Sequence, residues 1–176
     1  MKTFIAISGS LRKDSHNTRL LKALQEVAGE DARVELYDIS SIPFYNQDME
    51  ASFPSEAQAF KDAILASDGV IFSTPEYNRS VPGVLKNAID WASRPYGKNA
   101  FDGKKVLVLG ASIGPISTAL AQYHLKQIML YLNAQVIGQP EFFMGPAGDK
   151  FDADGKLVDE GTREHLKRAL SVLVGA

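Results

Sequence analysis

Short apolar runs alternate with helix-like stretches along the whole chain, and this alternation restricts the fold more than any other feature. Strand-like runs stand at Thr3–Ile7, Arg33–Ile39, Gly69–Ser73, Val106–Leu109 and, more weakly, Gln135–Ile137. The first helix starts at about Asn17, carries Leu20, Leu21, Leu24, Val27 and Ala28 on one side, and is closed by Gly29. A second starts at Ser55 with the stripe Ala57, Phe60, Ala63, Ile64, and a third presents Leu85, Ala88, Ile89 and Ala92. Ser117–Asn133 and Thr162–Val174 complete the set. Buried strands that alternate with helices pair in parallel through crossovers, which place helices on both faces. The chain is therefore predicted to be one α/β domain over residues 1–176, a three-layer, doubly wound, parallel five-stranded sheet, whose length suits, by fold-level analogy, the order 2-1-3-4-5.

Sheets of this kind bind ligands beyond the carboxyl ends of their strands, at the point where strand order reverses. That directs attention to the loops after strands one, three and four. Composition narrows what they can do. Nineteen Lys plus Arg against 21 Asp plus Glu leave a net charge of −2, with no basic run to neutralise successive phosphates, so neither nucleic acid nor an anionic membrane is an expected partner. The chain has no cysteine, which removes disulfides, thiolate metal sites and cysteine nucleophiles; redox work must come from a cofactor. No apolar run approaches the roughly 18 residues of a membrane span, and the start of the chain does not read as a signal peptide, so a cytoplasmic location is expected.

The first loop, Ser8 to Thr18, gathers Ser8, Ser10, Ser15, Thr18, Gly9 and Arg12 at a helix N-terminus. Hydroxyls, helix N–H groups and a bidentate guanidinium suit a terminal phosphate. The loop matches neither Gly-x4-Gly-Lys-Ser/Thr nor Gly-x-Gly-x-x-Gly, which leaves a mononucleotide monophosphate; the alternative is capping by Ser15 or Asn17. The third loop, Pro75 to Gly83, places Glu76, Tyr77, Asn78 and Arg79 between two prolines, and its stiff backbone amides could bond the edge of a flat heterocycle; Tyr77 could equally be a lid on the core.

The fourth loop, Gly110-Ala111-Ser112-Ile113-Gly114, matches Gly-x-Ser-x-Gly and admits a hydrolase with Ser112, Asp149 or Asp152, and His165. His165 falls inside a predicted helix, so a glycine-rich turn that lets a ring pack on backbone is the preferred reading. His16, His124 and His165 lie too far apart in sequence to suggest a metal site, and Lys150–Asp159 reads as a hairpin turn about Asp154-Gly155. The long helix is apolar nearly all round, so one face is expected to meet a second subunit.

Gly-Ser-Leu-Arg-x-x-Ser-x-Asn (Gly9–Asn17), Pro-Glu-Tyr-Asn followed by Ser-Val-Pro-Gly-Val-Leu-Lys-Asn-Ala-Ile-Asp-Trp (Pro75–Trp91), and Ala-Gln-Tyr-His-Leu (Ala121–Leu125) resemble the NADPH-dependent FMN reductase family, in particular its quinone, chromate and ferric reductase branch. The resemblance runs from Phe4 to about Leu170 and implies a flavodoxin-like fold, bound FMN, NAD(P)H as co-substrate, and a homodimer that can pair into a tetramer. By matching positions it implies that Ser10, Arg12, Ser15, Asn17 and Thr18 hold the FMN phosphate. Pro75, Glu76, Tyr77 and Asn78 then line the isoalloxazine, and Ser112, Ile113 and Gly114 lie beside its pyrimidine edge. Phe44 and Tyr45 match a loop near the flavin, and Arg79, which only part of the family shares, is available to an anionic acceptor or to the phosphates of the dinucleotide. Where many members have Arg-Ala-Gln-Tyr, this chain has Leu120-Ala121-Gln122-Tyr123; Glu141 remains, one charge pair is lost, and the tetramer stays open.

The implied reaction is ping-pong. NAD(P)H passes hydride to the flavin and leaves, and a small-molecule electron acceptor such as a quinone, chromate, a ferric complex or an azo compound then takes two electrons in the same place. No catalytic side chain is required. A one-electron carrier would share the fold, but such carriers are usually far more acidic than −2.

Overall fold

The computed structural model describes residues 1–30 and 32–175. Strands β1 (Lys2–Ser8), β2 (Ala32–Tyr37), β3 (Gly69–Ser73) and β4 (Lys105–Ala111) pair in parallel in the order β2-β1-β3-β4. Helices α1 (His16–Ala28), α2 (Ser55–Ala66), α3 (Gly83–Ala92), α4 (Ala119–Tyr131) and α5 (Glu160–Gly175) make the crossovers and the final layer. Strand alternation divides the core in two. Phe4, Ala6, Ile71, Leu107 and Leu109 face α1 and α5, while Ile5, Ile7, Val70, Phe72, Val106 and Val108 face α2, α3 and α4. The three-layer architecture is the one expected from the alternation of elements, and the strand order is the flavodoxin-like one expected by analogy.

The β4 edge carries one strand more than expected: β5 (Gln135–Val136) lies beside Lys105–Val106, and a sixth strand, β6 (Phe142–Met144), lies beside Leu109–Ala111. Between them Ile137–Glu141 must cover the stretch that Leu107 and Val108 cover on β4, so the chain loops outward; Pro140 has no N–H with which to continue the ladder. The strand expected over Gln135–Ile137 is thus present as β5, one residue shorter, and the expected count of five strands is corrected to six.

Element ends also shift. The long helix begins at Ala119 instead of Ser117, because Ser117 adopts a left-handed φ of 56° and turns its hydroxyl onto the Met144 carbonyl at 3.0 Å. α5 begins at Glu160, two residues before Thr162. α4 buries Ala121, Gln122, Leu125 and Met129 and leaves Leu120, Tyr123, Leu130 and Tyr131 in solvent, so its second apolar stripe is uncovered in the single chain.

Candidate functional site

The parallel register sets the site. Ser8 lies beside Ser73 and Ser73 beside Leu109, so the loops after β1, β3 and β4 leave the sheet at one level. Backbone bonds continue across this edge, from Gly9 N to Ser73 O (2.8 Å) and from Thr74 N to Leu109 O (3.0 Å). Gly9 packs closely under this edge: a Cβ there would press on the Leu85 and Pro75 side chains at 3.1 and 3.2 Å.

The β1–α1 loop places Ser15 as N-cap of α1, its hydroxyl accepting the Thr18 N–H at 3.3 Å. The Thr18 hydroxyl donates to Ser8 Oγ at 2.9 Å, and Ser10 Oγ accepts the Arg12 N–H at 3.3 Å. Both Ser10 and Thr18 also line a hollow of about 200 Å³ that opens towards Tyr37 and Asp38. Asn17 points inward. Its carboxamide donates to Ala111 O, accepts from Ala111 N, and accepts the Ser73 hydroxyl at 2.9 Å, so its side chain braces the loops from within.

The backbone N–H groups of Ser15, His16 and Asn17 find no acceptor among the described residues. The surroundings are electropositive. Burial first, then Arg19 and Arg12, hold the His16 imidazole below its ordinary range, and its Nδ1 is buried without a partner while the ring stacks on Phe151 at 5.8 Å. Open helix N–H groups, hydroxyls and the exposed Arg12 form a donor set that fits a phosphomonoester.

In the β3–α3 loop, Tyr77 and Ser80 exchange both backbone hydrogen bonds, at 3.1 and 3.0 Å, around Asn78 and Arg79. Both central residues have positive φ, 50° and 64°, which is the type I′ turn; at Arg79 this left-handed backbone is strained. Glu76 ties this loop to the next. One carboxylate oxygen accepts the Ala121 N–H in the first turn of α4 (3.1 Å) and the other meets Arg79 Nη1 at 3.3 Å. Thr118, the N-cap of α4, makes no side-chain cap bond, so Glu76 supplies the anion that this helix end favours.

The β4–α4 loop is held from the far side by the segment after β6. Ser112 N donates to Met144 O, and Ala147 N donates to Ser112 O, both at 2.9 Å. A Cβ on Gly145 would sit 2.5 Å from the Gly114 carbonyl. Nothing in the sequence marked Met144–Ala147 as part of this edge except the Gly145-Pro146 turn signal.

Glu76, Asn78, Arg79, Ser112, Gly114, Pro115, Ile116 and Ser117 enclose a cleft of about 550 Å³. A larger groove of about 710 Å³ runs along α5 beside Val27, but no site loop contributes to it. The structure thus brings together Ser10, Arg12, Ser15, Asn17 and Thr18 on one loop with Pro75–Arg79 and Ser112–Gly114 on its neighbours.

Phe44 and Tyr45 do not line that cleft. Tyr45 packs edge-on to Trp91 (5.0 Å) and donates its hydroxyl to Glu50 at 2.6 Å, while Asn87 and Trp91 on α3 both donate to Pro43 O. Phe44, 86% exposed, projects from this clamped loop. The hydrolase reading has no geometry: His165 on α5 lies against Phe142 at 4.7 Å, and Ser112 Oγ accepts only the Gly114 N–H, at 3.2 Å.

Comparison with known proteins finds relatives along nearly the whole chain. The family model of NADPH-dependent FMN reductase matches residues 2–149. A 2-hydroxy-1,4-benzoquinone reductase from a Burkholderia species is 45% identical over 92% of this chain and 88% of its own length. An NAD(P)H-dependent FMN reductase of Pseudomonas aeruginosa is 45% identical over 96% of this chain and 91% of its own. Among solved structures, the flavoenzyme NAD(P)H:(acceptor) oxidoreductase FerB of Paracoccus denitrificans superposes with a TM-score of 0.93 at 42% identity, over 99% of this chain and 96% of that one.

Proposed function

The chain belongs to the NADPH-dependent FMN reductase family, and from that membership we propose that it passes electrons from NAD(P)H to a quinone or a similar small acceptor by a ping-pong scheme. It is an oxidoreductase with FMN as cofactor and NAD(P)H as co-substrate. The observation that carries the finer reading is the convergence of three site loops at one sheet edge, with open helix N–H groups at the head of α1.

FMN, when bound, supplies two-electron redox chemistry. In this reading Arg12, Ser10, Ser15 and Thr18, with the N-terminus of α1, hold its phosphate, and Asn17 fixes the loop through Ala111 and Ser73. Pro75–Asn78 and Ser112–Gly114 orient the ring, with backbone donors towards its polar edge. Both substrates use the cleft in turn, and no side chain need act as general acid or base.

The uncovered stripe of α4 supports a homodimer. Leu130 and Tyr131 are exposed, and a groove of about 350 Å³ beside them is lined by Ile89, Ile128 and Leu132. Glu141 is paired within the chain, 3.1 Å from Lys126, which holds its carboxyl below the ordinary range, so the charge left by Leu120 already has a partner. Among the described residues no helix is long and apolar enough to cross a membrane.

Fluorescence titration of the apoprotein with FMN tests the phosphate assignment. Arg12→Ala should weaken binding about tenfold or more, with excess FMN restoring turnover; unchanged affinity would remove Arg12 from the site.

A further inference from the structure

We propose that the cleft selects acceptors that enter as planar oxyanions, and that Arg79 is the residue that sets this preference. The inference rests on the reading above, that acceptors are reduced in the cleft between the β3–α3 and β4–α4 loops. The deprotonated 2-hydroxy-1,4-quinones are the class that fits best. Their enolic proton is that of a vinylogous carboxylic acid, so at neutral pH they are anions with two oxygens on adjacent ring carbons.

The cleft has one cation and one acid, Arg79 and Glu76. Glu76 does not repel an anion strongly, because its carboxylate is 8% exposed and spent on the Ala121 N–H and on Arg79 itself. Among the described residues Arg79 holds a single long side-chain bond, 3.3 Å to Glu76 Oε1, and its side chain is 69% exposed, so donors of its fork remain open at the cleft. The strained I′ turn aims it there: φ is 64° at a non-glycine position, in a hairpin closed by two Tyr77–Ser80 backbone bonds.

The same cleft is lined by Pro115 and Ile116, apolar and suited to a ring face. A guanidinium fork matches two vicinal oxygens as it matches a carboxylate, which an ammonium cannot do. A dinucleotide's 2′-phosphate is a poorer candidate for this contact, since it lies at the adenosine end, remote from the reacting ring, whereas Arg79 shares its cleft with Ser112 and Gly114.

Reduction of a hydroxyquinone anion takes one hydride equivalent from NAD(P)H and two protons from water, converting both carbonyls and the ionised oxygen to hydroxyls and releasing NAD(P)+. Charge on the acceptor grows before the protons arrive. A fixed cation at the vicinal oxygens therefore stabilises the transition state more than it stabilises the bound quinone.

The test is steady-state turnover of the FMN-loaded protein with NADH, which carries no 2′-phosphate, using 2-hydroxy-1,4-naphthoquinone and 1,4-naphthoquinone at neutral pH. Arg79→Gln should lower kcat/KM for the hydroxyquinone by about tenfold or more beyond any loss on the neutral quinone. Arg79→Lys should recover only part of the loss. Equal losses on both quinones, or no loss on either, would overturn the proposal. So would an unchanged quinone ratio with a higher KM for NADPH alone, which would assign Arg79 to the dinucleotide. Failure of the wild-type protein to reduce either quinone would instead remove the reading beneath it.

Discussion

The carboxamide of Asn17 meets Ala111 in both directions, donating to its carbonyl and accepting its N–H, each at 3.0 Å, as a neighbouring strand would. The same side chain accepts the Ser73 hydroxyl, so the first turn of α1 fastens the ends of β3 and β4 where the sheet would otherwise part.

Replacing Asn17 with Ala leaves both Ala111 groups and the Ser73 hydroxyl buried without a partner. The expected loss is about 2–4 kcal/mol of unfolding free energy, measured by urea denaturation, together with weaker FMN retention. A loss within about 0.5 kcal/mol would show that water replaces these bonds without cost.

Glu76 offers a separable test of the link between the β3–α3 loop and α4. Glu76→Gln keeps an acceptor for the Ala121 N–H and should be mild, whereas Glu76→Ala strips the cap and should lower stability by about 1 kcal/mol. Equal effects of the two substitutions would mean that charge, not the hydrogen bond, is what α4 uses.

Arg79 carries backbone strain that glycine would relieve. Arg79→Gly turns Asn78-Arg79 into Asn-Gly, the preferred pair for a type I′ turn, and should raise Tm by about 2–4 °C. The same change removes the guanidinium, so the stabilised protein should be poorer with anionic acceptors. A fall in Tm would show that the Glu76 contact outweighs the strain.

Much of this was legible before any coordinates. Phe4–Ile7, Val70–Phe72 and Val106–Leu109 are buried on both faces and read as parallel strands, which fixed the level of the three site loops. What escaped are contacts between residues far apart in sequence. Nothing about Asn17 says whether its amide faces a ligand or Ala111, and a polar residue at a helix start suits both. Glu76 reads as a loop acid until α4 is seen to begin beside it. The sixth strand was hidden because β6 is three residues long and lies beyond Pro140, where a sequence pattern has no period to show.

Acid stability should report on the start of α5. Asp159 accepts the Thr162 hydroxyl and Lys150 Nζ, then the Thr162 N–H, and these hold its carboxyl at about 2 against an ordinary 3.8. A depressed carboxylate stabilises the fold fully above its unfolded value, so this contribution is present above about pH 4 and is lost as pH falls through about 2. In unfolding measured across that window, Asp159→Asn should be less stable than wild type at neutral pH and converge with it in acid. A constant gap at every pH would contradict the assignment.

The most direct test of the account is an absorption spectrum of the purified protein, followed by NADPH under argon. The account predicts FMN bands, present on isolation or regained on adding FMN, that bleach on mixing and return when a quinone is added. A colourless protein that takes up no FMN, or bound FMN that NADPH leaves oxidised, would contradict it.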